Sequence, residues 1–253
     1  MAESVDPAAP APDGSAVATV DPDTHPGLHS ALSDPAYRDA VVDLLAVVSY
    51  GEMVAFERLA EDAKLAPSLQ DTLALARMAA AQLDKVQALH ERLVMLGVDP
   101  FAAMAPFRVP IDSFHRHTAP SDWLEGLVKA YVGDGLANDF YREIAAFLDP
   151  DTRDLVLSSL DDGGEHAAFV VARVREVIAA DPPMGGRLAL WGRRLMGEAL
   201  TQAQRVAADR DSLTALLTGG VDRPGLDLAA LGRMFARLTE RHQERMAELG
   251  LEA

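Results

Sequence analysis

The chain has 253 residues, a net charge of −16, 49 % apolar residues and no cysteine. Without cysteine there is no disulfide framework, thiolate metal site or cysteine nucleophile, and the acidic balance disfavours a general nucleic-acid binder. Ala and Leu outweigh β-branched and aromatic residues, which favours helix over sheet, and without a run of about 18 uncharged apolar residues no membrane span is expected.

Residues 1–30 carry five acids and neither Lys nor Arg, lack hydrophobic periodicity, and read as a disordered acidic Pro/Ala tail. They do not pair a basic stretch with an apolar core, so the expectation is a cytoplasmic protein. Six helices are predicted after the tail. The first opens at Asp34-Pro35, an N-cap with proline at the first helical position, and runs to about Lys64. A second runs from Ala66-Pro67 to Gly97. Residues 98–120 form a long connection in which Pro100, Pro106, Pro110 and Pro120 limit any helix to a turn or two, leaving His115 and His117 on a surface loop. A third helix opens at Ser121-Asp122-Trp123 and ends near Leu148. A fourth extends from Asp149-Pro150 to Asp181, a fifth over roughly 184–217, and a sixth from about Leu226 to Leu249. The expected organisation is an all-α bundle of four helices over 31–181, with two further helices over 182–253 packed on it as part of the same domain.

The first four helices each carry an apolar stripe stepping by three and four residues, and each stripe is broken by one polar side chain. In the first, Glu52 interrupts Val41, Leu45, Val48, Ala55 and Leu59. Gln82 falls between Met78 and Val86 in the second, Asp134 follows Tyr131 in the third, and Asp162 follows Ser159 in the fourth. Antiparallel neighbours joined by a short turn place residues equidistant from the turn at equal height. Glu52 and Gln82 are centred on the Pro67 turn, and Asp134 and Asp162 on position 148 beside the Asp149-Pro150 corner. Each hairpin therefore sets two polar interruptions opposite one another, making a polar layer across the bundle.

This layout resembles the ferritin-like di-iron bundle, in which two helices give one Glu each and two give a Glu-x-x-His. The long first hairpin, the connection "LGVDPFAAMAPF" and the added C-terminal helices are similar to MiaE-like proteins of actinobacterial type. The resemblance covers roughly residues 31–215. It implies a ferritin-like fold and, for intact members, a di-iron centre that uses dioxygen to hydroxylate an isopentenyl-modified adenosine of tRNA. Carried onto this chain, Glu52 and Asp134 stand at the single-carboxylate positions, and Gln82-x-x-Lys85 and Asp162-x-x-Glu165 at the paired motifs, with His166 one place late.

Iron in such a centre takes bridging carboxylates and neutral imidazoles. An amide is a poor substitute, and a protonated lysine cannot coordinate. In a low-dielectric core, Glu52, Asp134, Asp162 and Glu165 would repel one another without a cation, and Lys85 is the positive group predicted at that level. The expectation is a salt-bridged pseudo-di-iron core of Glu52, Gln82, Lys85, Asp134, Asp162, Glu165 and His166, with no metal cofactor. The alternative is an iron site on Glu52, Asp134, Glu165 and His166, reached through a π-bulge near Gly163-Gly164, in an active non-haem iron oxygenase acting on modified tRNA or a small apolar substrate. The sequence names no partner. It leaves a homodimer open, speaks against a membrane, and disfavours tRNA through its net charge, although five arginines over 182–220 keep that surface less acidic.

Overall fold

The computed structural model describes residues 31–160, 164–219 and 226–252. Among these residues the chain is helical and contains no strand. The predicted tail and Asp162 lie outside them, and so does the side chain of Glu165. The helices are α1 (Pro35–Asp62), prolonged by a 3₁₀ turn over Ala63–Leu65, α2 (Leu69–Met95), α3 (Pro100–Met104), α4 (Arg108–His117), α5 (Trp123–Ala145), α6 (Pro150–Ser159), α7 (Glu165–Ala180), α8 (Pro182–Asp209), α9 (Asp211–Thr218) and α10 (Leu228–Glu248).

Local chemistry sets most of the helix starts. The carboxylates of Asp34, Asp99, Asp122, Asp149 and Asp227, and the Ser68 hydroxyl, each accept a hydrogen bond from a backbone N–H in the following first turn. Those N–H groups have no partner inside the helix, so the caps satisfy donors that burial would otherwise penalise. Helix α2 closes with Gly97 at φ +72°, where Val98 N–H bonds to Leu93 O and Gly97 N–H to Val94 O. That left-handed C-terminal stop favours glycine.

Three expectations need correcting. The 98–120 connection is not a loop: it folds into α3, a 3₁₀ turn and α4, because Pro100, Pro106 and Pro110 stand in first turns, where the missing N–H costs nothing. The fourth helix is interrupted. It ends at Ser159 and resumes at Glu165, after Gly164 adopts φ +73°, a left-handed conformation that no helix continues through. The fifth helix also breaks, at Arg210, into α8 and α9.

Helices α1 and α2 form an antiparallel hairpin. Helix α5 packs on α1 and on α6–α7, and α8 and α10 pack on α5. One core cluster draws Leu59 from α1, Leu75 from α2, Leu127 from α5, Val174 from α7, Leu188 from α8 and Met246 from α10. A second joins Leu45, Leu89, Ile144, Val156 and Leu216. Along α1 the two are bounded by Val48 and Leu59, and along α2 by Ala79 and Leu89. Glu52, Gln82 and Lys85 fall in the interval. These two apolar cores thus have a polar layer between them, and a third apolar cluster of Ala46, Tyr50, Val54, Met104 and Phe107 joins α1 to α3 and its 3₁₀ turn.

Side chains fasten the outer helices. The Arg173 guanidinium on α7 donates through Nε (2.8 Å) and Nη2 (2.7 Å) to Oδ1 of the buried Asp71 on α2. Trp191 Nε1 on α8 donates to the Glu125 carbonyl at 2.9 Å, so this indole serves the α8–α5 seam. Asp139, off the apolar stripe of α5, is nonetheless buried, because Arg245 of α10 reaches across Gly135 to donate to it at 2.5 Å. No single helix among the described residues is long and apolar enough to cross a membrane.

Candidate functional site

The polar layer is built by α1, α2 and α5. Lys85 Nζ on α2 stands 3.9 Å from Glu52 Oε2 on α1, with both side chains nearly withdrawn from solvent. One turn earlier on the same face of α2, Gln82 Nε2 donates to Asp134 Oδ2 of α5 at 3.2 Å, while the Gln82 Oε1 atom is buried without a hydrogen-bond partner. Burial pushes the Glu52 carboxyl up to about 7; the Lys85 cation holds it down in part, and the Asp134 charge raises it. Tyr141, buried beside this layer, has its hydroxyl pushed up by burial and by the Glu52 charge.

Of the seven residues assigned to the core from sequence, four thus meet: Glu52, Gln82, Lys85 and Asp134. His166 lies half-buried in the first turn of α7 and is not among the described residues that line the adjoining cavity. Glu165 occupies the first position of α7, and Asp162 falls outside the described residues.

The donor set answers whether this layer suits two iron ions. Its described members are two carboxylates, an amide and an ammonium, and the ammonium sits against a carboxylate that a metal would need. Among the described residues no group of three or more His, Asp or Glu side chains could hold a metal ion. A cation bound beside Glu52 would have to displace or deprotonate Lys85, so these residues do not fit the pair of metals.

The layer opens into a cavity of about 190 Å³ between α1, α4 and α5. One end holds Glu52, Lys85, Asp134 and Tyr141. The other holds Arg58, Asp62, His115 and Lys129, four residues that sequence reasoning did not assign to the site. Lys129 Nζ donates to the Thr118 carbonyl at 2.8 Å, and burial lowers its ammonium to about 8 against the opposing pull of Asp62. Burial also raises the Asp62 carboxyl, with Lys129 lowering it. His115 is held to about 3 by burial and by the Lys129 and Arg58 charges, so its ring is neutral, and Nδ1 is buried without a partner. Gly126 leaves room for this end: a Cβ there would fall 2.9 Å from the Asp62 carboxyl carbon.

Two further spaces adjoin the cavity. An apolar chamber of about 250 Å³ shares Ile111, Phe114, Gly133, Ala137 and Tyr141 with it and extends towards Phe140, Met196 and Leu217. An outer cleft of about 730 Å³ beside α3 and α4 shares Arg58 and His115. These two residues line both the cleft and the interior.

Residues 35–220 match the family described as "Ferritin-like domain, actinomycetes". The chain belongs to that family. A solved structure, "Protein 19 with aldehyde deformylating oxidase activity from Synechococcus", superposes at a TM-score of 0.66 over 88 % of this chain and 94 % of that one, with 23 % identity. At that identity the likeness shows the ferritin-like fold alone. No curated protein matches the chain by sequence. Within the ferritin-like fold, the polar layer lies between the two apolar cores, and the Arg58–Lys129 end lies towards the C-terminus of α1 and the N-terminus of α5, beside the outer cleft.

Proposed function

We propose that this chain is a MiaE-like member of the ferritin-like family in which a lysine-centred polar layer replaces the di-iron centre, and that its core cavity binds a small apolar molecule. The observation carrying the first half is the Lys85 ammonium 3.9 Å from Glu52, where a metal ligand would otherwise stand. The amide of Gln82 supports it by donating to Asp134, a role that a metal-bridging carboxylate could not fill. The second half rests on the chamber of apolar side chains joined to the cavity through shared walls, with the Arg58–His115 edge as the side nearest the outer cleft. Apolar lining with a few converging polar groups is the usual character of a small-molecule site.

Such a protein lacks the means to activate dioxygen, so the reading is of a binding or non-oxidative role, not a hydroxylase. Elemental analysis of protein purified from iron-supplied cells tests it. Less than a tenth of an iron per chain is expected, on the order set by adventitious binding. One iron per chain would restore the alternative, an iron oxygenase with a single metal on Glu52, Asp134, Glu165 and His166, and two would overturn the lysine-centred reading outright.

A further inference from the structure

The chain contains three lysines, Lys64, Lys85 and Lys129, against twenty arginines, and two of the three line the interior cavity. Lys85 is engaged by Glu52. Lys129 faces the same space from α5, and its hydrogen bond to the Thr118 carbonyl is one that a neutral amine makes equally well. Around it stand groups of distinct kinds. Asp62 reaches from α1 to Gly126, one helical turn before Lys129 on α5. His115 of α4 presents a buried, unpartnered Nδ1, and Arg58 of α1 a buried, unpartnered Nε. Glu61 of α1 is tied to Arg58 at 2.6 Å.

We propose that Lys129 is a carbonyl-capturing residue, which condenses with an aldehyde or ketone carried on an apolar body and holds it in the cavity as an imine. The inference rests on the reading of the cavity as an apolar-ligand site and names the reactive group of that ligand. A desolvated lysine near a second cation is the usual setting for an amine that is nucleophilic at neutral pH. The neutral Nζ lone pair attacks the carbonyl carbon, forming a C–N bond as the π pair moves to oxygen. Arg58 Nε supplies an unused donor for that oxygen. One nitrogen proton is transferred to the alkoxide through His115, giving the carbinolamine. The Asp62 carboxyl, whose hold on a proton burial strengthens, gives a proton to the departing hydroxyl. The C–O bond breaks and water leaves, the nitrogen lone pair forms C=N, and the remaining nitrogen proton can return to Asp62. Amine and carbonyl become imine and water, with no change of oxidation state.

The chamber beyond Phe114 and Tyr141 gives the apolar body a place on the same side of α5. At pH 7 an amine titrating at about 8 is neutral in roughly one molecule in ten, against a few in ten thousand for an ordinary lysine. Labelling of Lys129 should therefore exceed that of the exposed Lys64 by roughly two-hundredfold at low probe concentration.

The full chain, incubated with octanal and sodium cyanoborohydride at pH 7, is digested and mapped by mass spectrometry. One octyl group per chain, on Lys129, is expected. Lys129→Arg, which retains the charge and a donor for Thr118, should lose it while melting as a folded protein. Modification confined to Lys64, Lys85 or the N-terminal amine overturns the assignment. No labelling of Lys129 despite saturable octan-1-ol binding overturns the imine and leaves the apolar site standing. Loss of both overturns the cavity reading as well.

Discussion

Replacing Lys85 with methionine removes the ammonium beside Glu52 and keeps most of the side-chain volume. At 3.9 Å and an effective dielectric constant of about 20, the pair's attraction is about 4 kcal/mol when both are charged, consistent with the 3–5 kcal/mol typical of unpairing a buried charge. Glu52 ionises in the folded protein at about 7, so the attraction is fully expressed only above that pH. Lys85→Met should accordingly lose about 3 kcal/mol of unfolding free energy at pH 8.5 and about 1 kcal/mol or less at pH 5, where the carboxyl is already neutral. Urea denaturation followed by circular dichroism at the two pH values measures the difference. An equal loss at both, or none at either, would refute the placement of the lysine against an ionisable Glu52.

Glu52→Gln tests the same pair from the acid side. A carboxyl titrating at about 7 when folded, against 4.5 ordinarily, binds more protons in the native state between those values, so its contribution falls as pH rises through that window. The substitution should flatten this fall, read as a lost slope in urea midpoints across pH 4–8. His115 acts with the opposite sign. Held neutral to about 3, it lets the unfolded chain bind a proton first as pH drops below about 6.5, so His115→Phe should lessen the acid sensitivity of the melting temperature between pH 6.5 and 4; an unchanged acid limb counts against its burial. Gly126→Ala drives a methyl group to 2.9 Å from the Asp62 carboxyl and should cost about 1–3 kcal/mol, whereas Gly133→Ala, with open space at that position, should be within 0.5 kcal/mol of wild type, about the usual scatter. Arg173→Met leaves the buried Asp71 carboxylate short of its two guanidinium bonds and should lower stability by about 2 kcal/mol at pH 7, with an undisturbed thermal melt as the contrary result.

Helix content and most helix starts could be read from the sequence because Asp caps and first-turn prolines are local signals. The same prolines misled over residues 98–120, where they begin α3 and α4 instead of excluding them. Only the three-dimensional placement of α4 turns His115 from an expected loop residue into part of the cavity wall. Stripe periodicity and heights measured off the turns set Glu52, Gln82 and Asp134 in one layer but paired Glu52 with Gln82; in the structure Glu52 meets Lys85 and Gln82 meets Asp134. Asp62 was within reach of the same reasoning, since it continues the α1 stripe from Glu52 through Ala55 and Leu59. Lys129 was not: it sits between the stripe positions Leu127 and Tyr131 and enters the site because the glycines at 126 and 133 leave α5 open on that side. The break after Ser159 was foreshadowed by the Gly163-Gly164 pair, although its geometry depends on the left-handed Gly164.

The two ends of the cavity divide the chemistry. Near Glu52 and Lys85, an ammonium stands against a carboxylate between the apolar cores. Near Asp62 and Lys129, burial moves a carboxyl up and brings an amine down to about 8. Perturbed groups facing one enclosed space mark a candidate site more specifically than the fold does.

Anaerobic titration with ferrous iron, comparing the wild-type chain with Gln82→Glu/Lys85→His, addresses the replacement of the metals most directly. A lysine-centred core predicts no saturable uptake by the wild type and measurable uptake by the double variant, which regains a carboxylate and an imidazole. Stoichiometric binding of two ferrous ions by the wild type would contradict it.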